Sequence, residues 1–182
     1  MGESLPFYSE CYTVEEWENW NDPWELIDGF PYCMSPAPAF RHQSINTDIL
    51  VEIFNQLKTC EKCKAVMPID WQIDEQTVVQ PDILVLCKPV NGKRLFEVPI
   101  CLFEILSPST KKKDRSVKFE LYQRQGVKYY VMVDPETNSQ EAFQIGSDGK
   151  YEAIPTEPSL NFDFEGCQVQ LDMKEIWLRQ AL

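Results

Sequence analysis

Gln80-Pro81-Asp82-Ile83-Leu84-Val85-Leu86-Cys87 and Ile100-Cys101-Leu102-Phe103-Glu104-Ile105-Leu106 each set one carboxylate into an otherwise apolar run. Runs of this kind read as strands covered on both faces. A carboxylate buried there without a partner is costly, so a cation, a metal or strong donors must stand beside it. The midpoint of Asp82 and Glu104 falls at residue 93, so a hairpin centred near Asn91-Gly92-Lys93 sets the two acids opposite one another on antiparallel strands. Pro89 and Pro99 disturb the pairing in between, because proline cannot donate to a ladder. In that register the acids could share one ion, and their oxygens are hard ligands of the kind that magnesium and manganese take. The alternative is Asp82 as a turn residue and Glu104 in a plain salt bridge.

Downstream, Tyr129 to Val133 is another apolar run, and Lys111 to Gln125 ahead of it reads as a helix closed by Gly126. At about 100° per residue, Asp114 and Lys118 fall between Leu121 and Tyr122, on the side turned to the sheet. An inward Lys118 near two acids has an electrostatic reason to stay charged. It can hold a phosphate or orient an attacking water, or simply neutralise Glu104. Asp114, four residues earlier, is placed to orient it.

Upstream, Ala65 to Ile73 and Val79 to Cys87 complete the expected strands. A long helix is expected from about Ala39 to Leu57, after the Ser35-Pro-Ala-Pro38 punctuation, with Ile45, Ile49, Leu50, Ile53, Phe54 and Leu57 at helical spacing. His42, the only histidine, precedes Ile45 and Ile49 by three and seven residues and leans toward the sheet. It is either a hydrogen-bonded core residue or a supporting member of a carboxylate site. Thr13-Val-Glu-Glu16 is a capping box, and Trp24 to Met34 reads as a hairpin about Asp28-Gly29. Its Glu25 either faces solvent or reaches the site as a further acid. Gln140 to Leu171 looks like further strands around Gly146-Ser-Asp-Gly149, and Asp172 opens a short terminal helix. The order of elements predicts an α/β fold with a mixed sheet flanked by helices on both faces.

With 182 residues and 43% hydrophobic content, one domain spanning 1–182 is expected. No run approaches the roughly 18 apolar residues of a membrane span, and the acidic start Met1-Gly-Glu-Ser-Leu5 lacks the form of a secretory signal. A cytoplasmic setting is therefore expected. The net charge of −12 excludes coating of nucleic acid by charge alone, so any DNA contact must be local or metal-assisted. Lys111 to Lys128, with a net +5, is the one basic segment, and a solvated helix face explains it equally well. Seven cysteines are an odd number, and no complete disulfide framework can be drawn from them. Cys60-Glu-Lys-Cys63 has the spacing of half a zinc site, with no second Cys pair or Cys/His pair to complete it.

Several strings in the right order resemble the Uma family of restriction-endonuclease-like proteins. They are Trp24-Glu-Leu-Ile-Asp-Gly29, Met34-Ser-Pro-Ala-Pro38 with His42-Gln43, Val79-Gln-Pro-Asp82-Ile, and Phe103-Glu-Ile-Leu-Ser-Pro-Ser-Thr110 with Asp114-Arg115 and Lys118 through Tyr122. The resemblance implies a PD-(D/E)XK nuclease fold, with Pro81-Asp82 and Glu104 as the acidic parts of the signature. The signature's lysine position is Leu106 here, and the resemblance points to Lys118 as the lysine that has moved to the following helix. It further implies metal-dependent endonuclease chemistry on DNA, with Asp82, Glu104 and Lys118 catalytic, Asp82 and Glu104 holding Mg2+ or Mn2+, the Ile105 carbonyl as a further oxygen ligand, and a homodimer. A catalytically silent nucleic-acid-binding or protein-interaction module on the same fold is the second reading.

Overall fold

The structure, a computed structural model, describes residues 11–34, 38–90 and 92–180. The Met1–Leu5 start, the Ser35–Ala37 part of the proline-rich punctuation and Asn91 lie outside the described residues.

Helix α1 (Val14–Trp17) opens on the expected capping box: the Glu16 N–H donates to the Thr13 side chain, and the Glu16 carboxylate accepts from the Thr13 N–H. Strands β1 (Trp24–Ile27) and β2 (Phe30–Cys33) form the hairpin, with Asp28 and Gly29 both at positive φ in its turn. Gly29 is required twice over, since a Cβ there would also stand 3.0 Å from the Cys11 Cβ. Helix α2 (Phe40–Leu57) follows.

The expected strand at 65–73 is two strands, β3 (Lys64–Val66) and β4 (Trp71–Asp74), which belong to different sheets. Pro68, between them, cannot continue a ladder. The run from Val79 to Cys87 likewise divides at Gln80-Pro81-Asp82 into β5 (Thr77–Val79) and β6 (Ile83–Leu86). Strands β7 (Cys101–Ile105) and β8 (Tyr129–Asp134) follow the sequence reading closely. The C-terminal part comprises β9 (Ser139–Ile145), β10 (Tyr151–Ala153), β11 (Leu160–Phe164), β12 (Cys167–Leu171) and a terminal helix, with the Asp172 side chain accepting from the Lys174 N–H at its start.

Six strands form a mixed sheet in the order β10-β9-β8-β7-β6-β3, in which β7 and β8 run parallel and the other pairs are antiparallel. A smaller sheet has the order β2-β1-β5-β4, and β11-β12 is a separate hairpin. Side chains along β6, β7 and β8 alternate between two clusters. Ile83, Val85, Phe103, Ile105, Val131 and Val133 meet Ile45, Ile49, Ile53 and Leu57 of α2, together with the β11-β12 hairpin. Leu84, Leu102, Tyr130 and Met132 face the opposite way, toward Leu121 and Tyr122, and join Ile27, Trp71 and Val79 of the small sheet. Helices therefore cover both faces, as the element order predicts.

Phe54 departs from the expected apolar stripe of α2: it is 53% exposed, while Asn46 is buried in its place. Among the described residues the seven cysteines divide into two joined pairs and three free thiols. The sulfurs of Cys60 and Cys167 are joined, as are those of Cys63 and Cys87, while Cys11, Cys33 and Cys101 are free.

The depth of α2 in the core sets a contrast that urea denaturation can measure. Ile49→Ala, at a fully buried position, is expected to cost about 2–5 kcal/mol. Phe54→Ala, five residues along the same helix, is expected to stay within about 1 kcal/mol of the parent.

Candidate metal and phosphate site

The observed register of β6 and β7 pairs Ile83 with Phe103, and continued by one position it sets Asp82 opposite Glu104. The predicted centre thus holds, although no tight hairpin joins the strands: the described residues between Cys87 and Ile100 lie outside the sheet's strands, and Leu95 bridges to Trp71 instead. Asp82 lies in the bend just before β6, where its Oδ2 accepts from the Ile105 N–H at 2.8 Å. Glu104 is buried within β7.

Between Glu104 and β8 the expected helix is present with an interruption. Regular turns at α3 (Lys111–Lys113) and α4 (Phe119–Arg124) flank a π-helical turn over Asp114–Lys118. A π-turn inside an α-helix commonly marks a functional position. Asp114 and Lys118 are both buried, on the side that the helical spacing predicts. The Lys118 Nζ is 2.8 Å from Glu104 Oε1, 2.8 Å from Glu25 Oε1 and 3.8 Å from Asp114 Oδ1. Glu25 is inward-facing because it alternates with buried Ile27 on one face of β1.

Four partners were not anticipated from sequence. The Tyr122 hydroxyl donates to Glu104 Oε1 at 2.8 Å, the Lys113 ammonium donates to Glu25 Oε2, the Gln80 N–H donates to Glu25 Oε1 at 2.9 Å, and the Tyr130 hydroxyl donates to the Asp114 carbonyl at 3.0 Å. Tyr122 was within reach of the helical argument, standing one turn beyond Lys118. Lys113 was not. Residues five apart lie about 140° apart on an α-helix, whereas a π-turn, with its wider i→i+5 hydrogen-bonded loop and smaller rotation per residue, brings Lys113 and Lys118 to the same carboxylate.

His42 enters from the first turn of α2, with its Nε2 3.4 Å from Asp82 Oδ2, and it also meets the Ile105 backbone. Burial disfavours its charged form, yet the hydrogen bond and charge of Asp82 prevail and hold its pKa above the ordinary value. Burial pushes Glu104 well above the usual carboxylate range; the Lys118 charge opposes this, and the charges of Asp114, Asp82 and Glu25 reinforce it. Glu25 goes the other way: burial acts upward, but Lys118 and Lys113 together bring it below its ordinary value. Lys118 is likewise penalised by burial and is nonetheless raised well above the usual lysine value by Glu104, Glu25 and Asp114. Burial also raises Asp114.

All seven of these ionisable residues line one cavity of about 810 Å³ at the end of the six-stranded sheet where β7 and β8 finish. Four buried side-chain polar atoms among the described residues have no hydrogen-bond partner, and three of them, His42 Nδ1, Asn46 Oδ1 and Asp114 Oδ1, belong to residues lining this cavity. Such atoms mark a place built for water, an ion or a ligand group. The basic segment is largely consumed internally: Lys111 pairs with Asp134, Arg115 with Glu141 and Arg124 with Asp28, in addition to the inward Lys113 and Lys118. It does not present the broad cationic face that its composition suggests.

Comparison with known proteins agrees with this architecture. A computed match to the solved structure of "a putative nuclease belonging to DUF820" from Anabaena variabilis has a TM-score of 0.74 at 18% identity, covering 93% of this chain and 99% of that one. The uncharacterised protein slr1290 of Synechocystis is 27% identical over 148 residues, which is 76% of this chain and 77% of that protein. The model of the Uma2 family, described as "Putative restriction endonuclease", matches residues 10–173. With residues 10–173 matched, which is nearly the whole chain, the chain belongs to the Uma2 family.

Proposed function

We propose that this chain is a divalent-metal-dependent DNA endonuclease that hydrolyses phosphodiester bonds, with Asp82 and Glu104 as ligands of Mg2+ or Mn2+ and Lys118 as the phosphate-side catalytic residue. The observation that carries this reading is the charge of the cavity. Four acids, Glu25, Asp82, Glu104 and Asp114, share it with the ammonium groups of Lys113 and Lys118, and burial together with neighbouring acids holds Glu104 and Asp114 above their ordinary values. A divalent cation would hold both in their charged forms, and the available donors are hard oxygens suited to magnesium or manganese.

Both donors to Glu104 converge on Oε1, so its second oxygen is the one for an ion. Asp82 is already oriented by the Ile105 amide. The Ile105 carbonyl is a further candidate oxygen on the same strand end. When bound, the ion polarises a phosphate oxygen and lowers the pKa of a water molecule. Lys118, held charged among three acids, stabilises negative charge developing on the phosphate. Asp114 and Glu25 keep the Lys118 ammonium in place, and His42 meets the same Asp82 oxygen that accepts from the Ile105 amide.

Supercoiled plasmid tests the activity directly. Nicking is expected with Mg2+ or Mn2+, and is expected to vanish in Asp82→Ala and in Glu104→Ala, each checked for folding by circular dichroism. Intact plasmid across all divalent ions, with the parent still retaining DNA in a gel-shift assay, would instead favour the silent binding module.

The same charge arrangement makes a stability prediction. Lys118→Met leaves Glu104 and Glu25 buried without their shared cation and is expected to cost about 3–5 kcal/mol in urea denaturation. Added Mn2+ is expected to recover part of that loss, because an ion bound only by the folded chain shifts the equilibrium toward it. An equal loss with and without Mn2+ would count against a metal at this site.

A further inference from the structure

Far from the carboxylate cavity, the chain gathers four cysteines from three separate places. Cys60 and Cys63 follow the end of α2 at Leu57, and the Cys60 N–H donates to the Leu57 carbonyl. Cys87 directly follows β6, and the β3–β6 register (Lys64 with Leu86) makes it the cross-strand neighbour of Cys63. Cys167 begins β12 after the two-residue turn Glu165-Gly166, in which both residues have positive φ. The Cys63 sulfur also lies 3.3 Å from the Phe164 carbonyl in that hairpin.

We propose that Cys60, Cys63, Cys87 and Cys167 form a structural tetrathiolate site for one zinc ion. The sulfurs are joined here as two pairs, Cys60–Cys167 and Cys63–Cys87, but the pairs are not independent staples. The sulfurs of Cys60, Cys63 and Cys167 all lie within 4.8 Å of one another, and Cys87 is attached to the middle one. Two separate disulfides have no need to converge. A tetrahedral zinc does: Zn–S bonds of about 2.3 Å set its four sulfurs about 3.8 Å apart.

Three further observations favour the ion. The Cα atoms of Cys63 and Cys87 are 4.0 Å apart, closer than the roughly 4.4–6.8 Å that disulfides usually span. Cys60-x-x-Cys63 has the spacing with which one short loop offers two thiolates to one metal, and the fold supplies as single residues the other half that sequence spacing does not reveal. Cys11 and Cys33 are exposed free thiols, which persist where cysteines are kept reduced, and under those conditions a metal rather than disulfides closes such a cluster. Loading releases one proton from each of four thiols and leaves a centre of net charge −2. Lys58, Lys62, Lys64 and Lys88 flank the ligands in sequence and offset that charge. The ion would tie the end of α2 and the β11-β12 hairpin to the β3 edge of the main sheet.

Metal analysis of the full chain, purified with a reductant and without chelators, tests this. Mass spectrometry of the elements is expected to find about one zinc per chain, unchanged in Cys33→Ser and lost in Cys87→Ser and in Cys167→Ser. Replacement by Co2+ is expected to give the thiolate charge-transfer and intense visible bands of a tetrahedral sulfur site, a readout on the parent chain should a serine variant fail to fold. A metal-free parent overturns the proposal, whether its unreduced mass is lower by four hydrogens, as two disulfides require, or carries all its thiols. Neither result bears on plasmid nicking, so this site and the carboxylate site stand or fall separately.

Discussion

One ammonium group links the layers of this protein. The Lys118 Nζ meets Glu104 from the six-stranded sheet and Glu25 from the four-stranded one, at 2.8 Å each. Both acids are buried, so neither is tolerable at its position without the lysine, and the lysine is not tolerable without them. The surrounding contacts serve this junction. Tyr122 shares Glu104, Lys113 shares Glu25, and the stacked Trp71 and Tyr122 rings close the apolar side. The small sheet is held to the large one through polar groups as well as through Ile27 and Val79.

That junction is overcompensated in one direction. Its acids outnumber its cations, and the surplus is concentrated at the strand ends, where Asp82 is 22% exposed and Glu104 is not. The two carboxylates thus face different conditions. Asp82 is reachable from solvent and held by a backbone amide, whereas Glu104 is held by side chains in a dry setting that raises its affinity for a proton. Around the same space, His42 Nδ1, Asn46 Oδ1 and Asp114 Oδ1 are buried without a hydrogen-bond partner among the described residues.

Much of this was legible in the sequence because it follows from periods. Antiparallel register is arithmetic, so the midpoint of Asp82 and Glu104 predicted their facing positions even though the intervening chain takes a longer route. Helical spacing placed Asp114 and Lys118 inward, and alternation along β1 leaves Glu25 on the same side as Ile27. What was hidden depends on contacts between distant segments. The pairing of β1 with β5 rests on Leu26 opposite Val78, which no local pattern announces. Splitting of the apolar runs at Pro68 and Pro81 sent each half to a different sheet. The partners of Cys60 and Cys63 were single cysteines with no spacing of their own, brought near by an edge strand and a hairpin turn.

The π-helical turn over Asp114–Lys118 holds one residue more than a regular helix would need to cover the same length. Regularising those same residues into uniform α-geometry would swing the side chains on one flank by about 100° relative to the other. Lys113 and Lys118 could then no longer serve the same carboxylate, although every charged residue remained in the chain. The backbone path of this segment, more than its composition, is therefore under constraint.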